Sequence, residues 1–201
     1  MGQNSGVTAS VLAVVASTIF LVRLLPQPLR MARTGWTGGV SGLAALNGLV
    51  ADVAWLSYGL AAGLAAVWLV SVAAMVPAVW LAVLLRQRIG RRDVALAAAW
   101  AAVLVGCALA GVLGAGLAAG VVVTQGPAVG RALRDRDLSG ISPATWWVSV
   151  ADGLSWGAYG LAVHDGALQG YCVVLVTSAA LVLGRLRLTG AGSRKSSCAA
   201  P

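Results

Sequence analysis

Two carboxylates stand where charge is hardest to keep. Asp52 and Asp152 fall near the middle of long apolar stretches, and insertion scales put a carboxylate at the bilayer centre at roughly 2.5–3.5 kcal/mol. No Lys or Arg is expected at that depth. Each acid should therefore face a hydrated cavity, accept hydrogen bonds, or carry a proton. The chemistry on offer is proton or polar-solute binding; the plainer role is a neutral acid that ties helices together. On the same stretches stand Trp55 with Tyr58 and Trp156 with Tyr159. A spacing of three puts each pair one turn apart on one helix face, suited either to a pocket wall or to an aromatic belt at the membrane interface. Asn47, on the Asp52 stretch, is placed to reach the same cavity.

The aromatic pairs belong to a duplication. Ten of the thirty-six residues from Pro26 to Ala61 recur, without a gap, 101 positions later. They include Pro26/Pro127, Arg30/Arg131, Arg33/Arg134, Ser41/Ser142, Trp55/Trp156, Tyr58/Tyr159 and Gly59/Gly160. Matches of Pro, Arg, Trp and Tyr are not cheap in a chain this rich in Ala and Leu, so one supersecondary unit is used twice. The acids break the register: Asp52 aligns with Gly153, and Asp152 with Ala51. One residue turns a side chain about 100° around a helix, so the two are not expected to be equivalent partners.

The elements that must position these groups are membrane helices. Hydrophobic residues make up 59% and charged residues 10%, with a mean hydropathy of +0.88. Spans need roughly 20 apolar residues, and seven can be laid out: Val7–Leu25, Gly42–Leu60, Leu64–Leu84, Val94–Gly111, Val112–Gly130, Pro143–Leu161 and Ala167–Leu183. Period-two alternation is absent, which excludes strands as spans. All fourteen Lys and Arg fall in four places: at the first, third and fifth connections, counting Arg23 at the end of the first span, and after the last span. Cytoplasmic loops retain Lys and Arg, so the N-terminus is expected outside and the C-terminus inside. The net charge of +8 is an orientation signal and does not point to nucleic acid.

Two three-helix units joined directly would be antiparallel. The span Val94–Gly111, which has no counterpart in the other copy, restores the orientation. The expected fold is all-α integral membrane, with seven transmembrane helices arranged as two parallel triple-helix repeats around an inverting helix. Its parts are residues 1–86, the first repeat; 87–111, the linker loop and inverting helix; 112–188, the second repeat; and 189–201, a disordered cytoplasmic tail. The inverting helix is expected to make no solute contact. Ser41 and Ser142 are expected to cap helices. Gly116 and Gly120 are expected to allow close helix approach.

Leu25-Pro26-Gln27-Pro28, then basic residues, then Gly39-Val40-Ser41, then Trp55-Leu56-Ser57-Tyr58-Gly59, resembles the PQ-loop motif. The spacing is similar to that of the SWEET and SemiSWEET sugar transporters. Pro127 through Gly140-Ile141-Ser142 to Trp156-Gly157-Ala158-Tyr159-Gly160 resembles it more loosely, with Ala128 in place of Gln27. The resemblance implies proline hinges or gates at Pro26, Gln27 and Pro127. It also implies a central site, open alternately to each side, lined by Trp55, Tyr58, Trp156 and Tyr159. Sugar-transporting members carry an Asn on the third helix, about 13 residues after the Tyr; Ser71 and Cys172 hold those positions here.

Enzyme chemistry has little to stand on. His164 is the sole His, there is no Glu, and no metal-ligand cluster, nucleophile elbow or phosphate loop is present in the sequence. No cofactor and no metal is expected. The leading expectation is a multi-pass plasma-membrane transporter moving a sugar or similar small neutral solute, with the bilayer as its surroundings and homo-oligomer formation left open. A proton-coupled carrier using Asp52 or Asp152 is the alternative. A non-transporting membrane receptor or assembly protein on the same scaffold is the third reading.

Overall fold

The computed structural model describes the backbone of residues 2–35, 41–135, 138 and 141–197. Gly39, Val40 and Gly140 of the repeated motif lie outside the described residues. Eight helices follow one another: α1 (Gly2–Leu24), α2 (Pro26–Thr34), α3 (Gly42–Ala61), α4 (Ala65–Leu84), α5 (Arg91–Leu109), α6 (Leu113–Arg134), α7 (Pro143–Ala162) and α8 (Gly166–Ser197). Among the described residues there is no strand.

Local chemistry sets the helix ends. Ser41 accepts the Ala44 N–H at 3.0 Å and caps α3. Ser142 holds the equivalent position but makes no side-chain cap, and Pro143 opens α7 instead, its missing N–H costing nothing there. Gly63 and Gly111 take positive φ, 68° and 72°, in the tight turns after α3 and α5, where a Cβ would be strained. The chain breaks between α1 and α2 at Pro26, although Gly6–Thr34 still forms one apolar stretch long enough to span. At the equivalent Pro127, α6 bends by 42° between Gly126 and Ala128. Proline lacks the N–H that would continue a helix, which accounts for both. The helix of α8 continues through part of the segment expected as a disordered tail, as far as Ser197; residues 198–201 lie outside the described residues.

Among the described residues, five helices are long and apolar enough to cross a membrane, and α6 makes a sixth if its bent halves count together. The expected seventh, α7, has the length but not the apolarity. The reason is its place in the packing. Trp146, Ser149, Asp152, Gly153, Trp156 and Gly160 of α7 are all buried, between α1 on one side and α8 on the other. A helix enclosed by protein can keep polar groups that a lipid-facing helix cannot. The outer helices turn Val76, Val103, Leu109 and Val173 outward, as a lipid-facing surface requires. The chain is a multi-pass membrane protein.

The same packing order occurs twice. In the first copy α4 lies between α1 and α3; in the second α8 lies between α6 and α7. Between copies, α1 packs on α7 and α3 on α6, each a first helix against a second. The helix α5 fills against α3 and α6. Its Cys107 and Trp100 press on Gly116 and Gly120, where a Cβ would come within 2.9 and 2.8 Å of them. The repeated glycine of Trp-x-x-Tyr-Gly marks a close helix contact inside each copy. A Cβ on Gly59 would stand 2.7 Å from the Trp68 backbone nitrogen; one on Gly160 would stand 2.7 Å from Leu168 Cβ and 3.3 Å from the Gln169 nitrogen. Trp68 and Gln169 are themselves 101 residues apart.

Candidate functional site

Between the two copies lies a cavity in two parts. A vestibule of about 420 Å³ runs from Gln27, Ala45 and Thr145, at the helix ends beside the basic loops, up to Phe20, Asp52, Trp55 and Tyr171 at mid-span. Those four residues also line a smaller chamber of about 40 Å³, closed by Val67, Val70, Ser71, Trp156 and Leu168. The vestibule falls within the ordinary size of small-molecule sites, about 300–1,000 Å³. Its wall follows the duplication. Phe20/Val121, Arg23/Thr124, Leu24/Gln125, Ala44/Thr145, Ala45/Trp146 and Gly48/Ser149 line the vestibule in pairs 101 residues apart. Trp55/Trp156, Val67/Leu168 and Val70/Tyr171 do the same in the chamber.

On the side away from the basic loops the copies are tied together. The Tyr58 hydroxyl on α3 donates to Asp165 Oδ2 at 2.6 Å, and the Leu168 N–H donates to Asp165 Oδ1 at 2.9 Å. Asp165 is held in the turn after α7, where His164 takes a φ of 57°. Tyr58 thus belongs to this closure and not to the chamber wall. Tyr159, buried, packs edge-on against Trp156 at 5.8 Å. Trp55 stands edge-on to both Tyr58, at 5.8 Å, and Tyr171, at 5.9 Å.

The two acids live in different surroundings. Asp152 is fully buried on α7 and, contrary to the sequence expectation, has a cation. Arg23 Nη1 is 3.2 Å from Asp152 Oδ2. The Tyr171 hydroxyl donates to the same oxygen at 2.6 Å, and Arg23 Nη2 donates to Tyr171 at 3.4 Å. Arg23 reaches this depth because it stands in the last turn of α1, just before the chain breaks at Pro26, and α1 packs on α7. Three helices from both copies meet in the network. The other oxygen, Oδ1, lacks a hydrogen-bond partner among the described residues. Asp52, by contrast, opens onto both parts of the cavity. Among the described residues it has no ion pair and no hydrogen-bond partner. The one-residue offset from the repeat register, about 100° of helix turn, separates these fates.

The other expected site residues divide as follows. Ser71 lines the chamber, its hydroxyl donating to Val67 O at 2.8 Å. Cys172 does not; its Sγ lies against Gly157, where a Cβ would come within 2.6 Å, so it is a helix-contact residue. Asn47 keeps Oδ1 buried without a partner, outside both parts of the cavity. Gln27 lines the vestibule, and so does Gln125 from the other copy, although Ala128 holds the register position. Pro26 and Pro127 mark the break and the bend. The helix α5, expected to make no solute contact, departs from expectation: its Trp100 and Leu104 line the vestibule, because α5 packs across α3 and α6.

No family model matches the sequence, and no curated protein matches it. A solved structure of a eukaryotic SWEET transporter matches the fold with a TM-score of 0.74 over 94% of this chain and 100% of that one, at 15% identity. The fold is SWEET-like. On this SWEET-like fold, Phe20, Arg23 and Tyr171 are the site residues that sequence reasoning missed. Nothing marks them among the repeat identities, since Arg23 faces Thr124 in the register and Tyr171 faces Val70. The signal that could have found them is the offset itself, applied to every position facing the two Trp residues and not only to matching ones.

Proposed function

We propose that this chain is a transporter that passes a solute of about sugar size by alternating access between two parallel triple-helix copies, with α5 as the inverting helix. The observation that carries it is a cavity walled by pairs at the repeat offset, wide toward the basic loops and closed at the other end by Tyr58 and Asp165. A small change in the angle between the copies would shut the first end and release the second. Pro26 and Pro127, at the helix break and bend, are the proposed hinges, with Gln27 at the mouth of the vestibule. Sugars and similar small neutral solutes are the first class to assay, in the plasma membrane, with the basic loops cytoplasmic. The proton-coupled alternative narrows to Asp52, since Asp152 balances Arg23.

Purified protein in vesicles should carry solute down a gradient. Trp55→Ala and Trp156→Ala should each lower flux at least about tenfold, the effect of losing one good binding contact of about 1.4 kcal/mol. Trp147→Ala, whose ring is exposed on the outer surface beside Arg187, should leave flux near wild type. Equal flux in all three variants would remove the paired tryptophans from the pathway.

Orientation has its own check. With Cys107, Cys172 and Cys198 replaced, a Cys placed at Thr34 should react with an impermeant thiol reagent only after the cell is opened. Labelling from outside intact cells would reverse the assignment.

A further inference from the structure

The chamber holds one charged side chain, Asp52, and the vestibule adds only Arg23, whose charge Asp152 already balances at 3.2 Å. Both hydroxyl donors at the chamber wall are committed, which leaves the indole N–H groups of Trp55 and Trp156. The Ser71 hydroxyl is committed to Val67 O, and the Tyr171 hydroxyl to Asp152. What faces the space is a carboxylate without a partner and the rings of Trp55, Trp156 and Tyr171. Phe20 contributes less, because Arg23 lies 5.3 Å from its ring centroid.

We propose that this chamber binds the ammonium head of a small organic cation, with Asp52 as its counter-charge. A carboxylate out of bulk water is costly until it is paired, and aromatic faces attract a cation electrostatically while offering it no competing charge. A neutral polyol asks a site for donors as well as acceptors, whereas an ammonium group needs acceptors and π faces alone. Size agrees. About 40 Å³ is room for roughly three water-sized groups, enough for a substituted ammonium head, while the vestibule takes the remainder of the solute. The inference rests on the carrier reading for passage across the membrane, but the binding site itself is independent of it.

Choline, its uncharged carbon isostere 3,3-dimethylbutan-1-ol, and glucose serve as probes, titrated into the purified full-length protein while tryptophan fluorescence and melting temperature are followed. Choline should bind wild type at least about tenfold more tightly than the isostere, the least expected of a charge-assisted contact. Asp52→Asn, of the same size, should remove that preference, and Asp52→Glu should keep it. The comparison of choline with its isostere needs no variant, so it stands even if Asp52→Asn folds poorly. Equal binding of choline and isostere to wild type overturns the proposal, as does glucose binding more tightly than choline and indifferent to Asp52→Asn. Choline bound at Asp52 without flux of any solute would uphold the site and reject the carrier. Glucose flux unchanged by Asp52→Asn, with no choline preference, would uphold the carrier and reject the site.

Discussion

Asp152→Leu should destabilise the protein by about 3–5 kcal/mol, because it leaves the Arg23 guanidinium charged and without its counter-charge at the vestibule wall. Asp152 is wholly buried and Arg23 keeps only 19% of its side-chain surface exposed, toward the vestibule, so water there replaces the carboxylate only in part. The Tyr171 hydroxyl loses its acceptor at the same time, and an unsatisfied buried hydroxyl costs a further 1–3 kcal/mol or so. Melting in detergent, read as the fraction remaining monodisperse, reports the loss. The decisive comparison is Arg23→Leu with Asp152→Leu. Replacing both partners removes the charge and its counter-charge together, so the double variant should recover most of the stability that either single variant gives up. Additive losses would mean that the pair does not interact energetically, and its 3.2 Å geometry would then be incidental.

Gly59→Ala and Gly160→Ala should each lower the melting temperature sharply, by the roughly 1–3 kcal/mol that overpacking costs. Both added methyl groups meet the following helix, and part of what each meets is backbone. The Trp68 nitrogen lies 2.7 Å from the added Cβ in the first copy; the Asp165 carbonyl and the Gln169 nitrogen lie 3.2 and 3.3 Å from it in the second. A side-chain end could swing aside, but backbone can yield only by parting α3 from α4 or α7 from α8. Gly106→Ala provides the control: it is also in the last turn of its helix, nothing lies within 4 Å of its Cβ position, and alanine favours a helix by about 0.8–1 kcal/mol over glycine. That variant should melt no lower than wild type. A loss at Gly106 equal to those at Gly59 and Gly160 would trace the effect to composition and not to the helix crossing.

The repeated glycine shows how far the sequence alone reaches. Its recurrence 101 positions later, with Pro, Arg, Trp and Tyr, was enough to divide the chain into two copies of one unit. Apolar runs of about 20 residues fell within a few residues of seven of the eight helices, apart from the overrun of α8, because length and apolarity are local properties of the chain, although α7 falls short of the apolarity of a span. The Ser41 cap was legible for the same reason: a side chain three residues from its donor needs no tertiary contact to find it.

What the sequence could not decide is which residues meet across helices. Arg23, grouped by charge with the basic loops, proved to be the partner of a carboxylate 129 positions away, since α1 ends beside the middle of α7. Tyr58, three residues from Trp55, closes the far end of the cavity, while Trp55 lines the chamber; about 60° of helix rotation and about 4.5 Å of height separate the roles. Cys172 and Ser71 occupy the same register position, yet one packs on Gly157 and the other faces the chamber, because Leu56 stands in the first copy where Gly157 lets α8 come close. Asp52 and Asp152 differ by one residue in register, and that single step puts one acid in an ion pair and leaves the other open to whatever enters. Local pattern fixes helices and their duplication; the charge a cavity presents depends on the side chains that neutralise one another behind its wall, and that is a property of packing.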